Sequence, residues 1–387
     1  MNPSRPAARR MRGFSLVELA VAMGLGLLLT AAAASVYLST KSTFRRQEQL
    51  SAIQQNVRMA FEYLAGDARM AGHMGCFTGQ DSTPTNDFDW STATGKFVTN
   101  YTLGVEGYEF STPAGTYTIA SLAPADTTDP ADWQTHVDAN GTPTLPVATV
   151  AGAGAGLTPG SDVLVIRTAA GRATRLTAAT AASATLQFDG APGGGQCPDA
   201  TDRIGGLCAG SHALIANCVR ARMFPATAVA AGSLTAAGGA FLSDQYLPQS
   251  TEVIPLQTVT YHVKRSSNGR GTSLYRRIFD GTVAAGTEDE LIDGVESLQI
   301  RYGRDNTSPS PDGTVDEYVT ADQVADWTRI VTVRMSILLR APDPLPPGTD
   351  APASGQVNGV AIAYPDARHD RRVFTTTVAV RNRTTFF

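Results

Sequence analysis

Charged side chains are scarce in this sequence, and its longest uncharged stretch lies near the start. Charged residues make up 17% of the 387 positions, below the quarter that is usual for globular domains. No acid precedes Glu18, and no charge of either sign occurs between Glu18 and Lys41, so residues 19–40 form a run of 22 uncharged positions. About 20 apolar residues span a bilayer as a helix. The run therefore predicts one membrane-spanning helix.

The residues before this helix predict its orientation. Residues 1–13 contain no acid and four arginines, which are Arg5, Arg9, Arg10 and Arg12. By the positive-inside rule the N-terminus lies in the cytoplasm and the rest of the chain lies on the other side of the membrane. Two alternatives are a cleaved signal peptide that ends at TAAAAS (30–35) and a plain signal anchor. Neither alternative explains Glu18, because a carboxylate is costly at the edge of hydrocarbon.

Sequence motifs of enzymes and of nucleotide-binding sites are missing as well. The five histidines are scattered, and there is no H-E-x-x-H, no G-x-S-x-G and no P-loop Gly-Lys-Ser/Thr. AGAGAGLTPG (151–160) contains G-x-G-x-G, but a strand-like run follows it where a dinucleotide site needs a helix. We interpret this segment as a flexible linker. A net charge of −4 gives no overall nucleic-acid footprint. We predict no catalytic role and no cofactor.

One acidic segment is a candidate calcium site. RDNTSPSPDGTVDEY (304–318) contains Asp305, Asp312 and Asp316, and carboxylate oxygens are the ligands that Ca²⁺ prefers. The spacing differs from that of an EF-hand, and two prolines interrupt it. The alternative that we favour is a solvated turn.

The four cysteines predict disulfides. The shortest spacings between Cys76, Cys197, Cys208 and Cys218 leave ten and nine residues between partners, too many for the close pairs of a zinc site. An even number in an exported chain favours disulfides over free thiols, and three pairings are possible. We favour Cys197–Cys208, which closes the loop CPDATDRIGGLC, and Cys76–Cys218, which ties the end of the helix to a strand.

Helical spacing continues beyond the uncharged run. Apolar residues recur at intervals of three and four at Leu50, Ile53, Val57, Phe61 and Leu64. This pattern predicts one helix over 16–70, apolar first and amphipathic afterwards, that ends at Gly72 or Gly75.

The rest of the chain has the turn-rich, β-prone pattern of a head domain. Strands are predicted at 162–168, 184–189, 212–220, 257–264, 273–278, 291–303, 327–340 and 371–383. KFVTNYTL (96–103) and YTIASL (117–122) are further short β-prone runs, and 291–303 is expected to begin with a helical turn. The predicted fold class is α+β, with the long helix packed on a mainly antiparallel β-sheet head.

RGFSLVEL (12–19) resembles the class III leader of type IV prepilins. The resemblance implies cleavage after Gly13 by the prepilin peptidase, N-methylation of the new N-terminal Phe14, and use of Glu18 in assembly. Many major pilins have a proline early in this helix, whereas Gly24 and Gly26 are the helix-weakening residues here. The implied organisation is a leader (1–13), a transmembrane and assembly helix (14–40), an amphipathic helix (41–75) and a periplasmic β-rich head (76–387).

Further segments resemble the PilW-type minor pilins, which belong to the subunits that start type IV pili. These segments are 57–76, 161–167, 212–224, 272–277, 291–303 and 373–383. The resemblance implies a pilin-like fold in an inner-membrane subunit that later enters the pilus, at or near its tip. The implied partners are the prepilin peptidase, other minor pilins, the major pilin, the inner-membrane assembly platform and lipid, and nucleic acid is not among them.

Two alternative functions remain open at this stage. The first is a minor pseudopilin of type II secretion that is similar to the J-type subunit. The second is a tip adhesin or a DNA-uptake subunit, whose binding site would be built on the variable region 77–160.

Overall fold

In the computed structural model the chain forms a long N-terminal helix followed by a mostly antiparallel β-rich head, which confirms the predicted fold class. The structure describes residues 15–77, 83–110, 116–118, 126–135, 145–179, 185–188, 192–198, 202–230, 232–236, 246–248, 250–309, 311–346, 348 and 350–382. The chain divides into two compact units, Met1–Ala52 and Ile53–Phe387.

The bounds of the helices and strands in the described residues are as follows. The helices are α1 (Leu16–Met70), α2 (Ala93–Thr99) and α3 (Val147–Ala151), and 3₁₀ turns lie at Pro130–Asp132, Ala321–Gln323 and Trp327–Arg329. The first strands are β1 (Thr85–Asn86), β2 (Val105–Phe110), β3 (Thr116–Thr118), β4 (Trp133–Gln134), β5 (Val163–Ala169), β6 (Thr174–Ala179), β7 (Thr185–Phe188), β8 (Pro192–Gln196), β9 (Asp202–Ile204) and β10 (His212–Ala216). The later strands are β11 (Ala221–Ala230), β12 (Ser233–Ala236), β13 (Glu252–Arg265), β14 (Thr272–Phe279), β15 (Thr287–Asp293), β16 (Val295–Arg304), β17 (Glu317–Val319), β18 (Ile330–Arg340), β19 (Ser354–Val357), β20 (Val360–Ala363) and β21 (Arg371–Ala379).

The described strands form one large sheet and three smaller ones. The large sheet has the order β1-β11-β12-β7-β6-β13-β5-β2-β4; β10 pairs with β11 and β13, β14 pairs with β13, and β15 pairs with β14. A second sheet has the order β17-β16-β18-β21, a third β19-β20-β3, and β8 pairs with β9. Two pairs, β1–β11 and β20–β3, are parallel, and the others that the structure describes are antiparallel.

A side-chain hydrogen bond marks the start of α1, and a glycine turn marks its end. At its start the Val17 N–H donates to Ser15 Oγ at 3.3 Å, which satisfies one of the amides that every helix N-terminus leaves free. After Met70 the chain turns at Gly72, whose φ of +73° suits glycine. A side chain at this position would also collide with the Asn382 carbonyl oxygen. The predicted end of the helix is therefore confirmed.

The later part of α1 buries one face in the largest core cluster of the head. Its buried residues are Ile53, Val57, Ala60, Leu64, Ala65 and Ala68. They belong to the same cluster as Leu164 of β5, Tyr261 of β13 and Ile300 of β16, so the helix packs on both the large and the four-stranded sheet. Of the predicted apolar face, Phe61 is half-buried, whereas Leu50 is 41% exposed. Ala60, Ala65 and Ala68 are small and let the helix approach the strands closely. For the same reason they do not stand out in the pattern of large apolar residues that the sequence shows.

The β-prone run KFVTNYTL was predicted wrongly, because its first residues belong to α2. Thr92 caps this helix, and its Oγ1 accepts the Gly95 N–H at 3.0 Å. Phe97 is buried against Tyr108 and Trp133. Capping and burial thus outweigh the β-propensity of the individual residues. The other run, YTIASL, lies largely outside the described residues, although Thr116–Thr118 is a strand.

Two other expectations are corrected. No helical turn begins 291–303: its first residues end β15, and Gly294 with a φ of +84° separates β15 from β16. Segment 151–160 is packed rather than a free linker. Leu157 in this segment is buried, and it exchanges two backbone hydrogen bonds of 2.9 Å with Thr127.

A buried aspartate joins the two main sheets. Asp162, just before β5, accepts the Phe110 N–H of β2 at 3.1 Å and the Ile300 N–H of β16 at 2.8 Å. Burial raises the pKa of Asp162, and burial together with the charge of Asp162 raises the pKa of the neighbouring Glu109. The fold therefore places two carboxyl groups where their neutral forms are favoured.

Candidate assembly segment at the N-terminus

The apolar part of α1 is exposed over its whole length. With 55 residues, α1 is about 80 Å long. Of the described helices, α1 alone is long and apolar enough to cross a membrane. Its large apolar side chains from Leu16 to Phe44 are each more than half exposed, as Leu16 at 83% and Leu29 at 72% illustrate. An apolar surface of this extent is expected to be covered by lipid or by protein.

The polar groups within this part are satisfied in a way that suits hydrocarbon. Thr30 Oγ1 donates to the Gly26 carbonyl at 2.9 Å, and Ser35 Oγ donates to the Ala32 carbonyl at 2.8 Å. A hydroxyl bonded within its own helix does not need water. Side chains added at Gly24 or Gly26 would meet no atom of the described residues within 4 Å. The glycines therefore leave a flat surface that a neighbouring helix can approach closely.

Glu18 lies in the first turn of α1 and is exposed. A carboxylate is favoured there, because the free amides at a helix N-terminus carry partial positive charge. Within the described part of the chain, no ion pair includes Glu18. The predicted cleavage site at Gly13 and methylation site at Phe14 lie outside the described residues, so both remain predictions.

The end of α1 is held to the head by polar contacts as well as by the core. Tyr261 Oη donates to Asp67 Oδ2 at 2.6 Å, and Thr168 Oγ1 donates to the last helical carbonyl, that of Met70, at 2.7 Å. The Gly72 N–H donates to the Arg167 carbonyl at 2.8 Å. These bonds join residues far apart in the sequence, so this end of the helix is part of the head.

The two disulfides of the structure are the pairs that the sequence favoured. Cys76 bonds to Cys218 across 142 residues, with a Cα–Cα distance of 4.8 Å. Cys197 bonds to Cys208 across 11 residues, with a Cα–Cα distance of 5.8 Å. Both distances are in the usual range for disulfides. The first bond fixes the chain just beyond α1, and the second closes a local loop.

The aspartate-rich loop uses its carboxylates to order its own backbone. Asp305 is buried and accepts the N–H groups of Thr307 at 3.0 Å and Gly313 at 2.6 Å. Asp312 accepts the Thr314 N–H at 2.8 Å, and Asp316 accepts the Asn306 N–H at 2.6 Å. In the part of the chain that the structure describes, no three acidic, histidine or cysteine residues could together hold a metal ion.

The charged groups that are buried inside the head were not predicted from the sequence. Arg167 of β5 is fully buried and pairs with Glu106 of β2 at 2.6 Å. Glu296 of β16 pairs with Arg371 at 2.7 Å and with Arg340 at 3.3 Å. The sequence feature that could have indicated them is a single charged residue within an apolar strand, such as the arginine in VLVIRTA (163–169). These pairs connect strands to one another, and breaking a buried pair typically costs about 3–5 kcal/mol.

Comparison with known proteins assigns two parts of the chain. Residues 260–382, from within β13 to just beyond β21, match the family described as Type IV Pilus-assembly protein W. Residues 8–34 match the Prokaryotic N-terminal methylation motif. Both resemblances seen in the sequence are thereby confirmed for these regions. No curated protein matches the chain. A type IV-like pilin from Thermus thermophilus has 12% sequence identity over 46% of this chain and 87% of its own, with a TM-score of 0.20.

Proposed function

We propose that this chain, with its type IV pilus-assembly protein W region, is a minor pilin that helps to start the pilus at or near its tip. One observation carries the proposal: an exposed apolar helix has a single acid in its first turn and ends inside a head of the protein W type. The role is structural and needs neither cofactor nor catalysis.

The proposed mechanism begins with processing of the leader. Prepilin peptidase cleaves after Gly13 in the cytoplasm, and Phe14 becomes the methylated N-terminus. Its amine is cationic at neutral pH. Glu18 then has a natural partner in the amine of a neighbouring subunit, and this ion pair sets the axial register of the two helices. A head-to-tail contact that repeats without closing produces a helical filament.

The same helix has two surroundings in this proposal. Before assembly it crosses the inner membrane once, with the head in the periplasm, and lipid covers its apolar side chains. After assembly the side chains of other pilins replace the lipid. Both surroundings are apolar, so transfer of the helix from lipid to the filament costs little free energy for its apolar side chains. The ion pair of Glu18 then determines the axial position of the helix in the filament.

Substitution of Glu18 tests the proposal. We expect Glu18→Ala to insert into the membrane and to lose its leader normally, but to restore no surface pili in a strain that lacks the wild-type chain. Glu48→Ala is the matched control, because Glu48 is another exposed acid of α1 that lies beyond the apolar run. It should restore pili. Normal piliation by Glu18→Ala would refute the proposed role of this residue.

A strain that lacks this chain also distinguishes the minor-pilin role from the alternative role in type II secretion. A J-type pseudopilin of type II secretion would share the helix and its acid. Deletion of such a subunit should abolish protein secretion and leave surface pili intact, whereas deletion of a minor pilin should abolish surface pili.

A further inference from the structure

Basic and aromatic side chains follow one another at the end of the apolar run of α1. Tyr37 and Phe44 are each 65% exposed, and Lys41 and Arg45 are exposed too. Their spacing of i, i+4, i+7 and i+8 places the four on one face of the helix. Arg46 is a further exposed base beside them. We call residues 37–46 the basic-aromatic band.

The position of the band along α1 matches the thickness of a bilayer. Tyr37 follows Glu18 by 19 residues and Lys41 follows it by 23, which correspond to about 29 Å and about 35 Å of helix. The hydrocarbon layer is about 30 Å thick, and the headgroups extend beyond it on each side. With Glu18 at one boundary of the hydrocarbon, Tyr37 reaches the other boundary, and Lys41 and Arg45 reach the headgroup layer.

The side chains of the band suit that depth. Tyrosine is enriched where a membrane meets water, because its ring is apolar and its hydroxyl is polar. Lysine and arginine lay their apolar stems along hydrocarbon and direct their charged ends towards water. Ammonium and guanidinium groups donate strong hydrogen bonds to phosphate oxygens.

The charges of Lys41 and Arg45 are available to an outside partner. Within the described part of the chain, no ion pair includes either residue. Glu48, the first acid after Glu18, lies three residues beyond Arg45 and pairs with neither base. An anionic group of another molecule can therefore bind there without displacing an internal partner.

The sign of charge in the band is opposite to that of the chain beyond it. Residues 19–46 contain three bases and no acid, whereas residues 47–387 contain 34 acids and 24 bases, a net charge of −10. An anionic membrane surface attracts basic segments beside a transmembrane helix and repels acidic ones. Attraction to such a surface is thus a property of the band and not of the chain as a whole.

We propose that the basic-aromatic band binds anionic phospholipids in the membrane leaflet opposite the leader. Lys41 and Arg45 bind the lipid phosphates, and Tyr37 and Phe44 lie where the headgroups meet the hydrocarbon. This proposal rests on the proposed insertion of α1 into the membrane, so its test measures insertion separately.

Spin-labelled lipids report which lipids contact the helix. The full-length chain is reconstituted in phosphatidylcholine vesicles with a trace of spin-labelled phosphatidylglycerol or spin-labelled phosphatidylcholine. Electron paramagnetic resonance measures the motionally restricted fraction of each label. Restriction of the phosphatidylcholine label measures insertion, and the ratio of the two association constants measures headgroup preference. We expect the wild type to prefer phosphatidylglycerol about two- to fivefold, since one exposed ion pair contributes at most about fivefold in affinity.

Variants of equal charge make the test specific to the band. The double variant Lys41→Gln and Arg45→Gln should insert normally and should lower the preference about twofold or more. Arg58→Gln with Arg69→Gln is the matched control, because it removes two other exposed bases of α1 that lie at least 12 residues beyond Arg46. It should leave the preference unchanged. The leader arginines are present in every variant, so differences between variants report the band alone.

A third variant separates charge from shape. Lys41→Arg with Arg45→Lys exchanges the two bases and keeps both charges, so it should keep the preference for phosphatidylglycerol. Loss of the preference in this variant would contradict binding through charge.

The possible failures can be told apart. Equal association of the two labels with the wild type would overturn this proposal while leaving insertion intact, and so would equal preferences of the wild type and the Lys41→Gln, Arg45→Gln variant. Absence of restriction for both labels would refute insertion of α1 and this proposal with it.

Discussion

Acidic residues occupy two contrasting environments in this chain. Glu18 is exposed at the start of an apolar helix, where the helix N-terminus favours its charge. Glu109 and Asp162 lie between the sheets of the head, where burial raises the pKa of each carboxyl group. The charge of Glu18 is accessible to a charged group of another molecule, because this residue is exposed. At Glu109 and Asp162, burial instead favours the neutral carboxyl group.

The raised pKa of Glu109 predicts how stability depends on pH. A carboxyl group with a raised pKa in the folded state binds its proton more tightly when folded. Its contribution is complete below the ordinary value of about 4.3 and is lost as pH rises through the folded pKa. Of the charged neighbours, Asp162 and Asp322 raise the pKa of Glu109 and Arg301 lowers it. We therefore expect the contribution of Glu109 to the Tm of the full chain to be lost between about pH 5 and about pH 9.

The variant Glu109→Gln tests this origin of the pH dependence. Glutamine resembles the neutral acid in shape and has no proton to lose. The Tm of the variant should fall less over the same pH range than that of the wild type. Equal pH dependence of the two melting curves would mean that Glu109 is ionised in the folded head.

At the scale of elements, α1 is one continuous helix with two kinds of surface. Leu64 is fully buried in the core of the head, whereas Leu27 is 69% exposed. We expect Leu64→Ala to reduce the free energy of unfolding of the head by about 2–5 kcal/mol, because it leaves a cavity. Leu27→Ala is the matched control and should leave it unchanged. Urea unfolding of the full chain in detergent, followed by tryptophan fluorescence, measures both. Equal losses would contradict this assignment.

Elements with a strong pattern could be predicted from the sequence, and elements that depend on context could not. The spacing of apolar residues predicted α1, with its end close to Gly72, and runs of β-branched residues predicted β5, β13, β14, β18 and β21. Helix α2 could not be predicted from its β-prone residues, because the Thr92 cap and the pocket around Phe97 decide its conformation. The packed segment 151–160 has a linker-like composition, and its contact with Thr127 is visible only in three dimensions.

At the scale of the whole molecule, the disulfides constrain the head over very different distances. In the chain-entropy account, a bond contributes more stability when it closes a longer loop. This gives about 5 kcal/mol for Cys76–Cys218 and about 3 kcal/mol for Cys197–Cys208. The double variant Cys76→Ala and Cys218→Ala should accordingly lower the unfolding midpoint more than Cys197→Ala and Cys208→Ala. A larger loss for the second pair would show that local strain or packing dominates.

The N-terminal methylation motif could be recognised from the sequence, because it needs only a short segment in a fixed order. The roles of Gly13, Phe14 and Glu18 within it remain predictions. The position of β21 at the edge of the four-stranded sheet could not be predicted from the sequence, because it depends on how β16, β17 and β18 pair with one another. Ion pairs such as Glu106–Arg167 also join segments that are distant in the chain.

The most direct test of the account is mass spectrometry of this chain recovered from sheared surface pili. We expect an N-terminal peptide that begins with methylated Phe14 and contains an unmodified Glu18. A chain that retains Met1, or that begins after the alanines of 31–34, would contradict it, and so would complete absence of the chain from the pili.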